Sequence, residues 1–174
     1  MTVVRALHRV LEFFLIVISL ILMTSLAVLV IAAVGFRSAG ASLTWYDEVA
    51  SVLLAWLTYY GAALAALRRA HLGFPNLMAM LPPVIRLPLL LLSEAAIIGF
   101  FALVAYFGLQ VIDLLQFDTL ASLPWVSVSL TMSVIPIGAV LFITAELLTL
   151  PDKIREAATG ARPGEMGHEI EVAS

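Results

Sequence analysis

Four long blocks of apolar residues alternate with short polar joints along this chain. The blocks cover residues 13–34, 49–67, 87–115 and 125–150. About 20 helical residues cross the roughly 30 Å hydrocarbon core of a bilayer. The first, third and fourth blocks are therefore long enough to cross, and the second crosses with Glu48 and Arg68 at its ends. The pattern predicts an all-α membrane protein with four transmembrane helices.

Composition argues against the other fold classes. The chain has 174 residues, of which 63% are hydrophobic and 12% are charged, whereas a soluble domain carries about 25% charged residues. The apolar runs at 11–34 and 88–109 lack the alternation of apolar and polar residues that a membrane β-barrel requires. Helices therefore account for most of the chain.

The basic residues fall almost entirely on one side of the predicted helices. Eight of the nine basic residues lie on this side, and they are Arg5, Arg9, Arg68, Arg69, Arg86, Lys153, Arg155 and Arg162. The exception is Arg37. The positive-inside rule assigns the side of the eight to the cytoplasm and predicts that both termini are cytoplasmic. The aromatic residues Trp45, Tyr46, Phe117 and Trp125 then lie at the outer ends, at the depth of the lipid headgroups.

The remaining segments are short. Residues 73–86 predict a short helix in the cytoplasmic interface between the second and third spans, ending near Pro82 and Pro83. Residues 1–150 form one four-helix transmembrane domain, and the polar residues 151–174 are expected to be a disordered cytoplasmic tail. The first apolar run of about 22 residues is too long for a signal peptide, whose apolar region has 7 to 15.

The sequence offers little for catalysis. With no cysteine, the chain has neither a thiol nucleophile nor Cys-ligated zinc or iron–sulfur sites. His8, His71 and His168 are too scattered for a transmembrane haem, and no phosphate-binding or hydrolase motif occurs. We expect no cofactor, no metal, no enzymatic activity and no nucleic-acid partner.

One carboxylate is placed where it requires a counter-ion. Glu94 lies about 12 Å along the third helix from Arg86, where an unpaired charge costs on the order of 2 kcal/mol or more. Glu12 and Glu146 occupy similar depths. We expect structural ion pairs that join Glu94 to Arg68 and Arg69, with a proton relay as the alternative.

The second helix carries a face of small residues. They recur at the spacing of one helix surface, which allows another helix to approach closely, and they are Thr58, Gly61, Ala62, Ala65 and Ala66. The face either packs within this chain or docks a separate membrane subunit. Four helices interrupted only at Pro136 offer little to enclose a transport path.

Several motifs resemble one family of membrane proteins. They are Trp45-Tyr46-Asp47-Glu48-Val49, Trp56, Gly61-Ala62-Ala63-Leu64, Leu67-Arg68-Arg69-Ala70-His71, Leu81-Pro82, Arg86, Leu123-Pro124-Trp125 and Ile135-Pro136-Ile137-Gly138. In this pattern the chain resembles the small transmembrane subunit, the DctQ-like component, of tripartite ATP-independent periplasmic (TRAP) transporters. The resemblance covers nearly the whole chain.

The resemblance implies a non-catalytic role in the bacterial inner membrane. A large membrane subunit would carry the substrate and sodium sites and move as an elevator, a periplasmic binding protein would deliver an organic acid, and this chain would widen the fixed scaffold. Its contacts would be membrane lipid and the large subunit. The residues implied at the subunit contact are Glu48, Trp56, Gly61, Ala62, Arg68 and His71. The adjoining small residue Ala65 is expected at the same contact.

Two other classes remain open from the sequence. One is the small membrane subunit of a different tripartite transporter, for tricarboxylates, which also has about four helices. The other is a membrane redox or enzyme subunit, which the missing ligands and nucleophiles disfavour.

Overall fold

Four long helices form the protein. A computed structural model describes residues 2–68 and 83–159, which contain α1 (Thr2–Ser38), α2 (Tyr46–Leu67), α3 (Pro83–Leu114), α4 (Val128–Met132) and α5 (Val134–Thr159). Membrane-spanning length and apolar character are found in α1, α2, α3 and the α4–α5 segment. Apart from one isolated bridge between Thr119 and Ser127, the regular structure of these described residues is helical. The predicted all-α fold with four spans is confirmed.

The helices lie side by side in the order α1, α2, α5, α3. Helix α1 packs on α2, and α5 packs on both α2 and α3. In the span that contains α5, 39% of the residues in the apolar stretch are buried, against 17% or less in the other three spans. This agrees with the inner position of α5. Helix α5 therefore separates α2 from α3.

Neighbouring contacts fix the direction of each helix. Glu12 near the start of α1 meets Arg68 at the end of α2, and Glu94 near the start of α3 meets Lys153 near the end of α5. We call this the basic end. At the opposite, acidic end lie Asp47, Glu48, Asp113 and Asp118. Helices α2 and α5 thus run parallel to each other, and α1 and α3 run the other way.

The apolar core lies where α1, α2 and α5 meet. Its buried residues include Leu15 of α1, Ala63 and Ala66 of α2, and Phe142 and Ala145 of α5. Phe101 of α3 stacks on the Phe142 ring at a centroid distance of 3.8 Å. Small side chains bring the helices close together, because overlapping surfaces in a membrane gain dispersion energy only at short range.

Gly138 marks the closest approach of α5 to α2. A Cβ atom there would lie 2.7 Å from the Cβ of Tyr59, shorter than any ordinary contact. Gly108 allows a similarly close approach of α3 to α5, since a Cβ atom added there would lie 2.9 Å from Cγ2 of Ile135. These two glycines set the spacing of α5 from both of its main neighbours.

Three prolines shape the helix ends. Pro83 is the first residue of α3, a position whose N–H has no partner within a helix. Pro136 lacks the N–H that would bond the carbonyl of Met132, and the chain breaks into α4 and α5 between them, at Ser133. The expected interruption therefore lies three residues before Pro136 itself. Pro151 does not end α5, which continues past the predicted block boundary to Thr159.

Two predicted features lie mostly outside the described residues. The interfacial helix expected over 73–86 falls largely within 69–82, and its last residues belong to the first turn of α3. Most of the tail expected from residue 151 also lies beyond Thr159, the last described residue.

Candidate functional site

Helix α2 has one face that the described residues, 2–68 and 83–159, leave uncovered. Its residues are exposed or half-buried, share one side of the helix, and are Ser51, Leu54, Ala55, Thr58, Gly61, Ala62 and Ala65. A Cβ atom added at Gly61 would meet nothing within 4 Å. We call this surface the open face of α2. It contains four of the five small residues predicted as a packing face, whereas the fifth, Ala66, is fully buried.

The open face differs from the other exposed surfaces in side-chain size. The structure describes all of α2, and Leu54 is the one large hydrophobic residue that this helix exposes. Helices α1 and α3 expose many, such as Phe13, Ile31, Leu92 and Phe100. Bulky side chains suit contact with lipid tails, and small ones suit close contact with another helix. The open face therefore has the composition of a helix-packing surface, and none of the described helices covers it.

Two residues expected at a subunit contact form hydrogen bonds within the chain. The Trp56 indole Nε1 donates a hydrogen bond to the carbonyl of Thr131 at 2.9 Å, and its ring packs edge-on against Tyr60. The Glu48 carboxylate accepts hydrogen bonds from the backbone N–H groups of Ala121 and Ser122, at 3.0 and 2.9 Å, and from the Ser122 hydroxyl. Both side chains tie α2 to the segment that joins α3 to α5.

That segment is a tightly bonded loop. Leu120 and Val126 are joined by a backbone hydrogen bond of 3.0 Å, and Ser127 Oγ accepts one from Ser129 N at the start of α4. The Ser129 hydroxyl in turn contacts the carbonyl oxygens of Ile112 and Leu115 at the end of α3. Glu48 therefore holds a loop that is already ordered, and fixes its position relative to α2.

A buried group of three charges joins α3 to α5 at the basic end. Lys153 Nζ lies 2.8 Å from Glu94 Oε1 and also contacts Glu146 Oε2. The side chains of Glu94, Lys153 and Glu146 are 9%, 17% and 1% exposed. Since the aliphatic stem of a lysine can reach along the helix while its ammonium turns to a partner, Lys153 serves both carboxylates.

Arg68 has a different partner from the predicted one. Its Nε lies 2.8 Å from Glu12 Oε1 of α1, and the two side chains are 51% and 30% exposed. Glu94 and Arg68 each form an ion pair, but not with each other, because α5 lies between α2 and α3. Near this pair, His8 Nε2 lies 3.3 Å from the carbonyl oxygen of Leu67. Arg69 and His71, also predicted as site residues, lie outside the described residues.

Comparison with protein families shows what this arrangement belongs to. Residues 26–156 match the family model described as "Tripartite ATP-independent periplasmic transporters, DctQ component". The chain belongs to this DctQ family. The matched region begins within α1 and includes all of α2, α3 and α4 and most of α5. A search of curated proteins found no match.

Membership in the DctQ family indicates the general role of the chain. It is a multi-pass membrane protein and the small membrane component of a tripartite ATP-independent periplasmic transporter, and the DctQ family is a transporter component rather than a known enzyme family. The match names the ATP-independent periplasmic type, so nothing here favours the tricarboxylate-type alternative.

Sequence reasoning missed the central member of the charged group in this DctQ protein. From the sequence, Lys153 belongs to the polar segment after Pro151, and no partner is assigned to it. A signal was present, because Glu146 and Lys153 are seven residues apart and residues at that spacing lie on one face of a continuous helix. Gly138, which sets the contact with Tyr59, was noted only as part of a motif.

Proposed function

We propose that this chain is the fixed scaffold subunit of a sodium-coupled TRAP transporter for organic acids in the bacterial inner membrane. A large elevator-type subunit carries substrate and sodium, and a periplasmic binding protein delivers the substrate. This chain itself binds neither. The observation that carries the proposal is the open face of α2, whose small residues are left uncovered by the part of the chain that the structure describes.

The large subunit docks on the open face of α2. Around Gly61, Ala62 and Ala65 the surface is shallow enough for a partner helix to come close, and close helix contact is what drives association where lipid tails are as apolar as the side chains. Arg68 lies beside this face at the basic end, half-exposed, where it can exchange its bond with Glu12 for a partner carboxylate.

The internal contacts suit a part that stays still while another moves. Helix α2 is tied to the α3–α5 loop by Glu48 and Trp56, and α3 is tied to α5 by Lys153. These bonds cross between helices at both ends of the bundle. A rigid body of this kind suits a fixed scaffold, relative to which the transporting part of the large subunit moves.

A steric test separates docking from general destabilisation. Gly61→Leu fills the open face, and Ala27→Leu adds a large side chain to an exposed position of α1 as the matched control. Overpacking a close helix contact costs about 1–3 kcal/mol, so Gly61→Leu should reduce co-purification of the large subunit about 5- to 150-fold while Ala27→Leu leaves it unchanged.

Transport should follow assembly in the same variants. Vesicles that contain this chain, the large subunit and the binding protein should take up organic acid when a sodium gradient is applied, and omission of any component should abolish uptake. Uptake should fall in proportion to the lost partner in Gly61→Leu. Substrate uptake by this chain alone would overturn the scaffold proposal, and equal co-purification of both variants would remove the open face as the docking surface.

Orientation has its own test, because both termini are proposed to be cytoplasmic. The chain has no cysteine, so single cysteines can be introduced at Thr2, Ser42, Gln116 and Ser174. An impermeant thiol reagent added to cells with a permeabilised outer membrane should label positions 42 and 116 and leave 2 and 174 unlabelled. The reverse pattern would invert the topology.

A further inference from the structure

A second surface of the molecule, between α1 and α2, has different chemistry from the open face. It is a groove of about 450 Å³, open along one side, lined by Thr24, Val28, Leu29 and Ala32 of α1 and by Val49 and Leu53 of α2. Its lining is almost wholly apolar. Beyond its upper end, toward the acidic end of the bundle, lies Arg37 in the last turn of α1.

The groove lies within one bilayer leaflet. Arg9 and Arg37 are 28 residues apart on α1, or about 42 Å, which equals the thickness of a bilayer with its headgroups. The midplane then falls near residue 23, beside Thr24. From Thr24 to Arg37 is 13 residues, or about 20 Å, which is the distance from the midplane to the headgroups of one leaflet.

The volume of the groove suits an acyl chain better than a whole helix. The α1 part of the lining, from Thr24 to Ala32, is about 12 Å long, and a helical segment of that length and about 10 Å diameter occupies roughly 900 Å³. The groove holds half of that volume. The α1 side of the groove also carries bulky exposed side chains, such as Val28 at 61% and Ile31 at 72% exposure. These side chains would hold a second helix away.

The charge of Arg37 indicates which kind of headgroup a ligand in the groove would carry. Arg37 is the one basic residue between Arg9 and Arg68 in the sequence, and it is exposed at the headgroup level, next to the Tyr46 hydroxyl. A guanidinium group binds phosphate oxygens in a bidentate manner, and its planar donors match that geometry. Arg37 thus lies five residues, or about 7.5 Å, beyond Ala32 along α1, on the headgroup side of the apolar groove.

We propose that the α1–α2 groove is a phospholipid site, which holds one acyl chain against Ala32 and Leu53 with the lipid phosphate on Arg37. The site lies away from the open face of α2 and does not depend on the role of the chain in transport. A bound lipid would fill the groove between α1 and α2 in the leaflet at the acidic end.

Native mass spectrometry can test the site on the full-length chain. The protein is reconstituted in nanodiscs of phosphatidylglycerol and phosphatidylethanolamine, released gently, and the retained lipids are counted. One phosphatidylglycerol per chain is expected. Ala32→Phe fills the groove and should reduce retention at least tenfold, whereas Ala27→Phe, on an exposed position of the same helix outside the groove lining, should leave retention unchanged.

A headgroup variant tests the second contact. Arg37→Gln should reduce the preference for phosphatidylglycerol over phosphatidylethanolamine about fivefold, because one basic residue near an anionic surface contributes about that factor, and high salt should reduce it in the wild-type chain as well. Ser25→Phe, at an exposed residue of the groove, provides a second blocked variant if Ala32→Phe does not fold.

Equal retention by Ala32→Phe, Ser25→Phe and Ala27→Phe would overturn the proposal. Loss of the lipid on addition of the large subunit, together with loss of that subunit in Ala32→Phe, would also overturn it and assign the groove to a partner helix.

Discussion

Two ion-pair groups at the basic end of the bundle join helices in different surroundings. Lys153 links α3 to α5 through Glu94 and Glu146, whose side chains are 9% and 1% exposed. Arg68 links α2 to α1 through Glu12, and these two side chains are 51% and 30% exposed. The two groups lie at similar depth along their helices, yet only the first is removed from solvent by the protein itself.

The difference shows which charges the fold depends on. An exposed pair contributes about 0–1 kcal/mol, because water and salt screen it and ordering two long side chains reduces their entropy. Removing one member of a buried group leaves a charge without hydration or counter-ion, which costs about 3–5 kcal/mol. We therefore expect Lys153 to be required for the α3–α5 contact, and Arg68 to remain available for a partner.

The largest expected effect comes from Lys153→Met. This change keeps most of the side-chain volume and leaves the Glu94 and Glu146 carboxylates next to each other without a cation, so the free energy of unfolding should fall by about 3–5 kcal/mol. Denaturant titration in detergent micelles, followed by circular dichroism, measures the loss.

The matched control removes all three charges together. Glu94→Gln, Lys153→Met and Glu146→Gln combined should recover most of the lost stability, since replacing a buried ionic group as a whole is often neutral. If the triple variant is no more stable than Lys153→Met alone, charge is not the reason that Lys153 matters.

A double-mutant cycle should assign the partner of Glu94. Charge reversal in Glu94→Lys should be partly rescued by Lys153→Glu, with a coupling energy of about 0.5–3 kcal/mol, because the two groups are in contact. Reversal of Arg68 to Glu should give no rescue, since its contact is with Glu12. Coupling of Glu94 to Arg68 would restore the pairing expected from the sequence.

Glu48 offers an intermediate case, in which a carboxylate is bound by N–H groups and no cation. Glu48→Gln keeps the shape but replaces one acceptor oxygen by an N–H donor, so the bonds to Ala121 and Ser122 cannot all persist. Hydrogen exchange of these two amides should become faster, and the melting temperature should fall less than in Lys153→Met. Unchanged exchange would show that the loop keeps its position without Glu48.

Arg68→Gln should have the smallest effect on the isolated chain. We expect a loss below about 1 kcal/mol that disappears in high salt, measured by the same denaturant titration. Co-purification of the large subunit should fall more than stability does if Arg68 contacts the partner. A loss as large as that of Lys153→Met would erase the difference between the buried and exposed groups.

The helices could be predicted from the sequence because bilayer thickness sets a minimum length for each apolar block. The same argument could not find the counter-ion of Glu94. That partner depends on the order of the helices in space, and Arg68 would reach Glu94 only if α2 lay beside α3. Packing of α2 against α5, where Tyr59 meets Gly138, excludes that arrangement.

Helix ends were predicted less well than helix number. Pro151 and the polar residues after it are signals for the end of a helix, yet α5 continues to Thr159. A proline in a helix removes one hydrogen bond and adds a local clash, which neighbouring contacts can offset. Here Lys153 supplies such contacts, and they become visible only once α3 is known to lie alongside α5.

The unequal lengths of the helices have a consequence for the lipid around them. Arg9 and Arg37 on α1 are 28 residues or about 42 Å apart, and Arg86 and Asp113 on α3 are 27 residues or about 40 Å apart, but Asp47 and Arg68 on α2 only 21 residues or about 32 Å. A bilayer that fits α1 and α3 must become thinner where it touches the open face of α2. Such mismatch costs a fraction of a kcal/mol for each ångström, or roughly a few kcal/mol in all. If the large subunit covers this face, as proposed, the deformed lipid is released, so the elasticity of the membrane itself would favour assembly, and more strongly in thicker bilayers.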